Sequence, residues 1–119
     1  MEMIAVVESL SALAHEGRLK VFRLLVTAGP TGMAAGEIAR RLATPPNTLS
    51  ANLSLLVHAA LAQSRRDGRS IIYSARFDRM GELMAFLAED CCGGAAEVCA
   101  PVAAAARRAA CRPGQGMLT

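Results

Sequence analysis

The hydrophobic period of this chain switches from helical to extended near residue 61 and back again near residue 77, and that switch limits the fold more than any other feature. Before it, apolar residues recur at helical spacing. Residues 3–14 carry Ile4, Val7, Leu10 and Ala14 on one stripe, and residues 18–27 carry Leu19, Phe22, Leu25 and Val26, ended by Gly29-Pro30. A short helix is predicted over 34–42, with Ile38 and Leu42 four apart. Ala43-Thr44-Pro45 breaks it, and Pro46 suits a first helical turn because its missing N–H has no partner there anyway. The next helix is predicted over 46–60, with Leu49, Leu53, Leu56 and Ala60 inward. After it, residues 62–66 and 69–75 read as extended segments flanking Asp67-Gly68, the signature of a hairpin with a type I′ turn. A further helix is predicted over 78–89, capped by Asp78, with Met80, Leu83, Met84 and Leu87 inward. Pro101 begins an alanine-rich stretch expected to be helical to about Ala110, and residues 112–119 are expected to be disordered.

Two short helices joined by a turn, with a hairpin after the second, make a winged helix-turn-helix. The fold class is therefore mainly α with a small β-hairpin. A chain of 119 residues suits one domain, expected over 1–90, with a cysteine-containing tail over 91–119. A domain this small often gains stability by dimerising.

Only 3% of residues are aromatic, which argues against a single-strand binder that stacks bases. No apolar run is long enough to cross a bilayer, so no membrane partner is expected. Glu2 and Glu8 interrupt the N-terminal apolar stretch, unlike a signal peptide. The expected compartment is the cytoplasm, where thiols stay reduced.

Charge distribution points to a polyanion. From Arg40 to Arg79 there are seven arginines against Asp67 and Asp78, a surplus of five. The helix over 46–60 would enter the major groove, offering Asn47, Thr48, Ser50 and Asn52 from its exposed side to bases or phosphates. The hairpin would be the wing, with Arg65, Arg66, Arg69 and Ser70 at its tip for phosphate or minor-groove contact. Arg40 and Arg41 would hold the backbone, and Tyr73 reads as a hairpin packing residue. Each of these residues alone also fits an ordinary solvated surface. Their ordered combination favours double-stranded operator DNA as the partner.

Specific segments resemble the ArsR/SmtB family of metal-responsive repressors. They are Leu13-Ala14-His15-Glu16-Gly17-Arg18-Leu19, Gly36-Glu37-Ile38-Ala39, Pro46-Asn47-Thr48-Leu49-Ser50, and the wing from Arg65 to Tyr73. The likeness covers roughly residues 5–92. The resemblance implies a homodimer joined through the first helix and the helix over 78–89. It also implies a repressor on a partly palindromic operator. Relatives often carry histidine and lysine where this chain has Asn52 and Ser54, so the operator sequence does not carry over.

All four cysteines, Cys91, Cys92, Cys99 and Cys111, lie in the last 29 residues. Three gathered thiolates suit a soft ion. Trivalent arsenic or antimony, As(III) or Sb(III), fits a pyramid of three sulfurs. Gly93-Gly94 would let Cys99 approach the adjacent pair. The resemblance agrees, since one arsenic-responsive branch carries an adjacent cysteine pair and a third a few residues on, matched by Cys91, Cys92 and Cys99. Cys111 has no counterpart and is a bystander or a substitute ligand. Zinc or cadmium sensing is an alternative. However, cysteine gaps of zero, six and eleven depart from structural zinc spacing, and residues 78–90 hold no histidine. Redox sensing through a Cys99 disulfide is another alternative. Nucleophilic catalysis is disfavoured, because Cys91 follows Glu89-Asp90 with no histidine near it in sequence. No organic cofactor is expected.

Overall fold

Leu25, Ile38, Leu53, Leu56 and Leu61 are wholly shielded from solvent, and the elements that carry them form the core. The computed structural model describes residues 1–88 and 96–109. The order is α1 (Met3–Leu13), α2 (Glu16–Ala28), β1 (Met33–Ala34), α3 (Ala35–Leu42), α4 (Pro46–His58), β2 (Ala62–Asp67), β3 (Ser70–Ala75), α5 (Phe77–Ala88) and α6 (Ala96–Ala109). The chain divides into two compact units, Met1–Leu83 and Met84–Thr119.

In the first unit α2, α3 and α4 surround the core, and the sheet closes it with Ala62, Ala75 and Tyr73. His15 starts α2 as its N-cap, its Nδ1 accepting from the Arg18 backbone N–H at 3.3 Å. Arg18 Nε donates to the Ala12 carbonyl at 2.6 Å, tying the end of α1 to α2. α3 stops at Ala43, which takes the left-handed conformation at φ 49°. The Thr44 N–H then reaches back to the Ala39 carbonyl. Pro46 opens α4, as its sequence predicts.

Several expectations are corrected. α1 turns Val6, Ser9 and Ala12 inward, and leaves the expected stripe of Ile4, Val7 and Leu10 exposed. This helix is apolar on both sides, so its period permitted either stripe. The hairpin turn is Gly68-Arg69, with Asp67 still paired to Ser70. Only Gly68 of the two has positive φ, the pattern of a type II′ turn rather than I′. α5 begins at Phe77, so Asp78 lies inside its first turn, where it pairs with Arg76 at 2.7 Å. Met84 and Leu87 of α5, expected inward, are exposed. α6 begins before Pro101 and carries it inside, on the helical propensity of its alanines.

The hairpin is also part of a three-stranded antiparallel sheet of order β1-β3-β2. β1 pairs Met33 with Tyr73 and Ala34 with Ile72. Two residues have no visible period, so only pairing with β3 defines this strand.

Candidate nucleic-acid interface

α4 packs through Leu49, Leu53 and Leu56, at the i, i+4 and i+7 positions of one stripe. That orientation exposes Asn47, Thr48 and Ser50 on the outer side of its first turns. Ala51 and Ser54 beside them are also exposed and small, so a flat surface can come close to the helix. Asn52 is the exception. It was expected on this face, but it is 6% exposed and sits against Gly17 of α2. Asn52 adjoins the inward stripe on the helical wheel, beside Leu56 and Leu49, on the side that faces α2.

β2 and β3 place Arg65, Arg66, Arg69 and Ser70 at the exposed end of the hairpin. Alternation along β2 sends Arg65 and Arg66 to opposite faces of the sheet. Arg65 donates from a guanidinium nitrogen to the Thr31 carbonyl at 2.9 Å, linking the wing to the segment before β1. That role has no mark in the sequence, because the partner is a backbone oxygen 34 residues away.

Arg40 and Arg41 are not free cations. Both guanidinium groups bond the Glu37 carboxylate one turn earlier, Arg41 Nε at 2.9 Å. The spacing Glu37, Arg40, Arg41 contained this signal. The hydrogen bond from Arg41, then that from Arg40, holds the Glu37 carboxyl below the usual carboxylate range. A carboxyl depressed in the folded chain keeps its pairing above its unfolded value and loses it as pH falls through the folded one. A carbon-detected NMR titration is expected to show Glu37 titrating below the usual carboxylate range and moving back up in an Arg40→Ala, Arg41→Ala protein; no movement would contradict the pairing.

Cys91, Cys92 and Cys111 lie outside the described residues, and Cys99 falls in the backbone of α6. Among the described residues no three His, Cys, Asp or Glu groups gather as a metal site. No described helix is long and apolar enough to cross a membrane.

A family model described as a helix-turn-helix domain matches residues 13–65, from the end of α1 into β2. No curated protein gives a significant match. Among solved structures, an ArsR-like transcriptional regulator from Rhodococcus sp. RHA1 superposes with a TM-score of 0.64 at 24% identity, over 92% of this chain and 96% of that one. HlyU from Vibrio cholerae N16961 gives 0.58 at 27% identity, over 73% of this chain and 97% of that one. The homodimeric winged helix-turn-helix DNA-binding domain of Mb0332 from Mycobacterium bovis is described as a possible ArsR-family regulator. It gives 0.60 at 30% identity, over 74% of this chain and 82% of that one. The family and fold are those of transcriptional regulators rather than enzymes. With its helix-turn-helix segment, its three-stranded wing and this identity to a homodimeric relative, the chain belongs to the ArsR family of winged-helix transcriptional regulators.

Proposed function

We propose that this chain is a dimeric repressor that grips operator DNA with α4 and the wing, and releases it when As(III) or Sb(III) binds Cys91, Cys92 and Cys99. The observation that carries the DNA half is the exposed trio Asn47, Thr48 and Ser50 at the start of α4, in a winged helix with arginines at the wing tip. A helix N-terminus with short polar groups suits base edges and phosphates together. Dimerisation runs through α1 and α5. Supporting it are the outward apolar residues of each helix, and the homodimeric Mb0332 relative.

The metalloid half rests on donor chemistry. Three thiols fall within nine residues, and soft thiolates are what trivalent arsenic and antimony take. Repression and release are then one coupled equilibrium. The free dimer holds its two α4 helices about 34–36 Å apart, one turn of DNA. The metalloid-bound form favours another spacing. DNA must weaken metalloid binding by the same factor.

The test is DNA release from a fragment of the chain's own upstream region, titrated with arsenite, antimonite, zinc, cadmium and peroxide. Release by arsenite or antimonite, lost in Cys91→Ser and Cys99→Ser proteins that still bind DNA, is the expected outcome. Release by zinc alone would remove the metalloid reading. A thiol-redox reading takes support from a similar structure described as reduced HlyU from Vibrio cholerae N16961. Release by peroxide alone, reversed by a thiol, would establish it.

The wing arginines separate by a second measurement. Arg66→Ala and Arg69→Ala are each expected to lower the salt slope of DNA binding by about one unit, with thermal stability unchanged. Arg65→Ala is expected to lower stability as well, by about 1 kcal/mol, through its lost bond to Thr31. Three identical responses would show that the Thr31 contact does not hold the wing.

A further inference from the structure

The first turns of α2 and α4 open onto one cleft of about 450 Å³, whose opposite wall is the α3–α4 turn. His15, Glu16, Gly17, Lys20, Thr48 and Asn52 line it. Both helices run 13 residues, so both present a positive dipole end there. In α2 the Arg18 N–H is taken by His15 Nδ1 and the Leu19 N–H by the His15 carbonyl. The N–H groups of Glu16 and Gly17 have no partner within the helix. The His15 ring accepts at Nδ1, so in its neutral form it carries its hydrogen on Nε2.

Asn52 is the second observation. It is 6% exposed, lines the cleft, and its carboxamide makes no hydrogen bond among the described residues. The amide is not sealed in the core like the partnerless Ser9 Oγ and Arg79 Nε; it meets solvent only through the cleft, the direction from which a partner can reach it. A Cβ at position 17 would stand 3.1 Å from Asn52 Nδ2, so Gly17 leaves the amide its room.

We propose that this cleft is a seat for a phosphate oxyanion, filled by a backbone phosphate of the bound duplex. The proposal rests on α4 being the helix that lies on DNA. Thr48 belongs to both surfaces: it lines the cleft and stands exposed beside Asn47 and Ser50. A helix lying in the groove therefore brings the cleft to the strand that borders it. Asn52 Nδ2, the Thr48 hydroxyl, the Gly17 N–H, His15 Nε2 and the Lys20 ammonium supply donors. Glu16 opposes them at the rim, where its carboxylate holds Lys20 at 3.1 Å. The incoming phosphate displaces Glu16 from Lys20, which makes Glu16 a brake on affinity.

The test uses the full chain, its own upstream duplex and an unrelated duplex of equal length. Glu16→Gln, at a side chain 83% exposed, is expected to tighten both about threefold. Asn52→Leu is expected to weaken both about tenfold. Methylphosphonate substitution then removes one phosphate charge at a time. One position in each half-site is expected to cost the unaltered protein about tenfold and the Asn52→Leu protein nothing more. Equal costs in both proteins at every position, with Glu16→Gln neutral, would overturn the proposal. Inorganic phosphate is the second arm, followed through the Asn52 side-chain amide by NMR. Saturation at micromolar phosphate, with displacement of DNA, would assign the seat to a free phosphate instead and overturn the duplex as its source. If Asn47→Ala and Ser50→Ala change neither affinity nor sequence preference while the Asn52 coupling persists, the base-reading role of α4 fails and the seat stands.

Discussion

Glutamates at Ile4 and Val7 of α1 are expected to leave the chain monomeric and to cut operator affinity by about a hundredfold or more. Ile4 is 71% exposed and Val7 55% exposed, and with Met3 and Leu10 they form a contiguous outer stripe. Apolar side chains of this size contribute about 1.5–3 kcal/mol each when fully buried. A subunit interface recovers that; a free monomer leaves it in water. A charge on the stripe must be desolvated without a partner, which opposes association directly. Because both positions face outward, the fold of each subunit is expected to survive. Operator binding suffers because a dimer engages its second half-site at high effective concentration and a monomer does not. Sedimentation and fluorescence anisotropy on one preparation decide the matter. A variant that stays dimeric would place the interface elsewhere.

Gly32→Ala is expected to destabilise the chain by about 2–5 kcal/mol, a large part of the roughly 5–15 kcal/mol that holds a small domain together. Gly32 has φ 76°, and an alanine Cβ there would overlap the Tyr73 carbonyl oxygen. That oxygen belongs to the backbone of β3 and cannot rotate away. The overlap therefore separates β1 from β3 and moves Thr31, whose carbonyl holds Arg65. Gly29 supplies the control. Its φ is 77° and its ψ −169°, but nothing stands within 4 Å of an added Cβ, so Gly29→Ala is expected to cost only backbone strain, about 1–3 kcal/mol. Urea denaturation of the two proteins separates conformation from close approach. A Gly32→Ala midpoint equal to that of Gly29→Ala would show that the sheet yields without cost.

Residue types and their spacing along the chain were enough to specify α1 to α5 and the hairpin, but not β1 or the start of α6. Leu49, Leu53 and Leu56 behind Pro46 define α4, and Gly68 among extended residues defines the hairpin, because period and turn chemistry are local properties. The order of those elements then restricts the fold to a winged helix. Tertiary structure decided which face of each element is used. It turned Asn52 toward Gly17, chose the Val6–Ser9–Ala12 side of α1, joined β1 to β3 and fastened Arg65 to Thr31. Each of these depends on an atom distant in sequence, and local spacing carries no information about a partner that folding alone brings near.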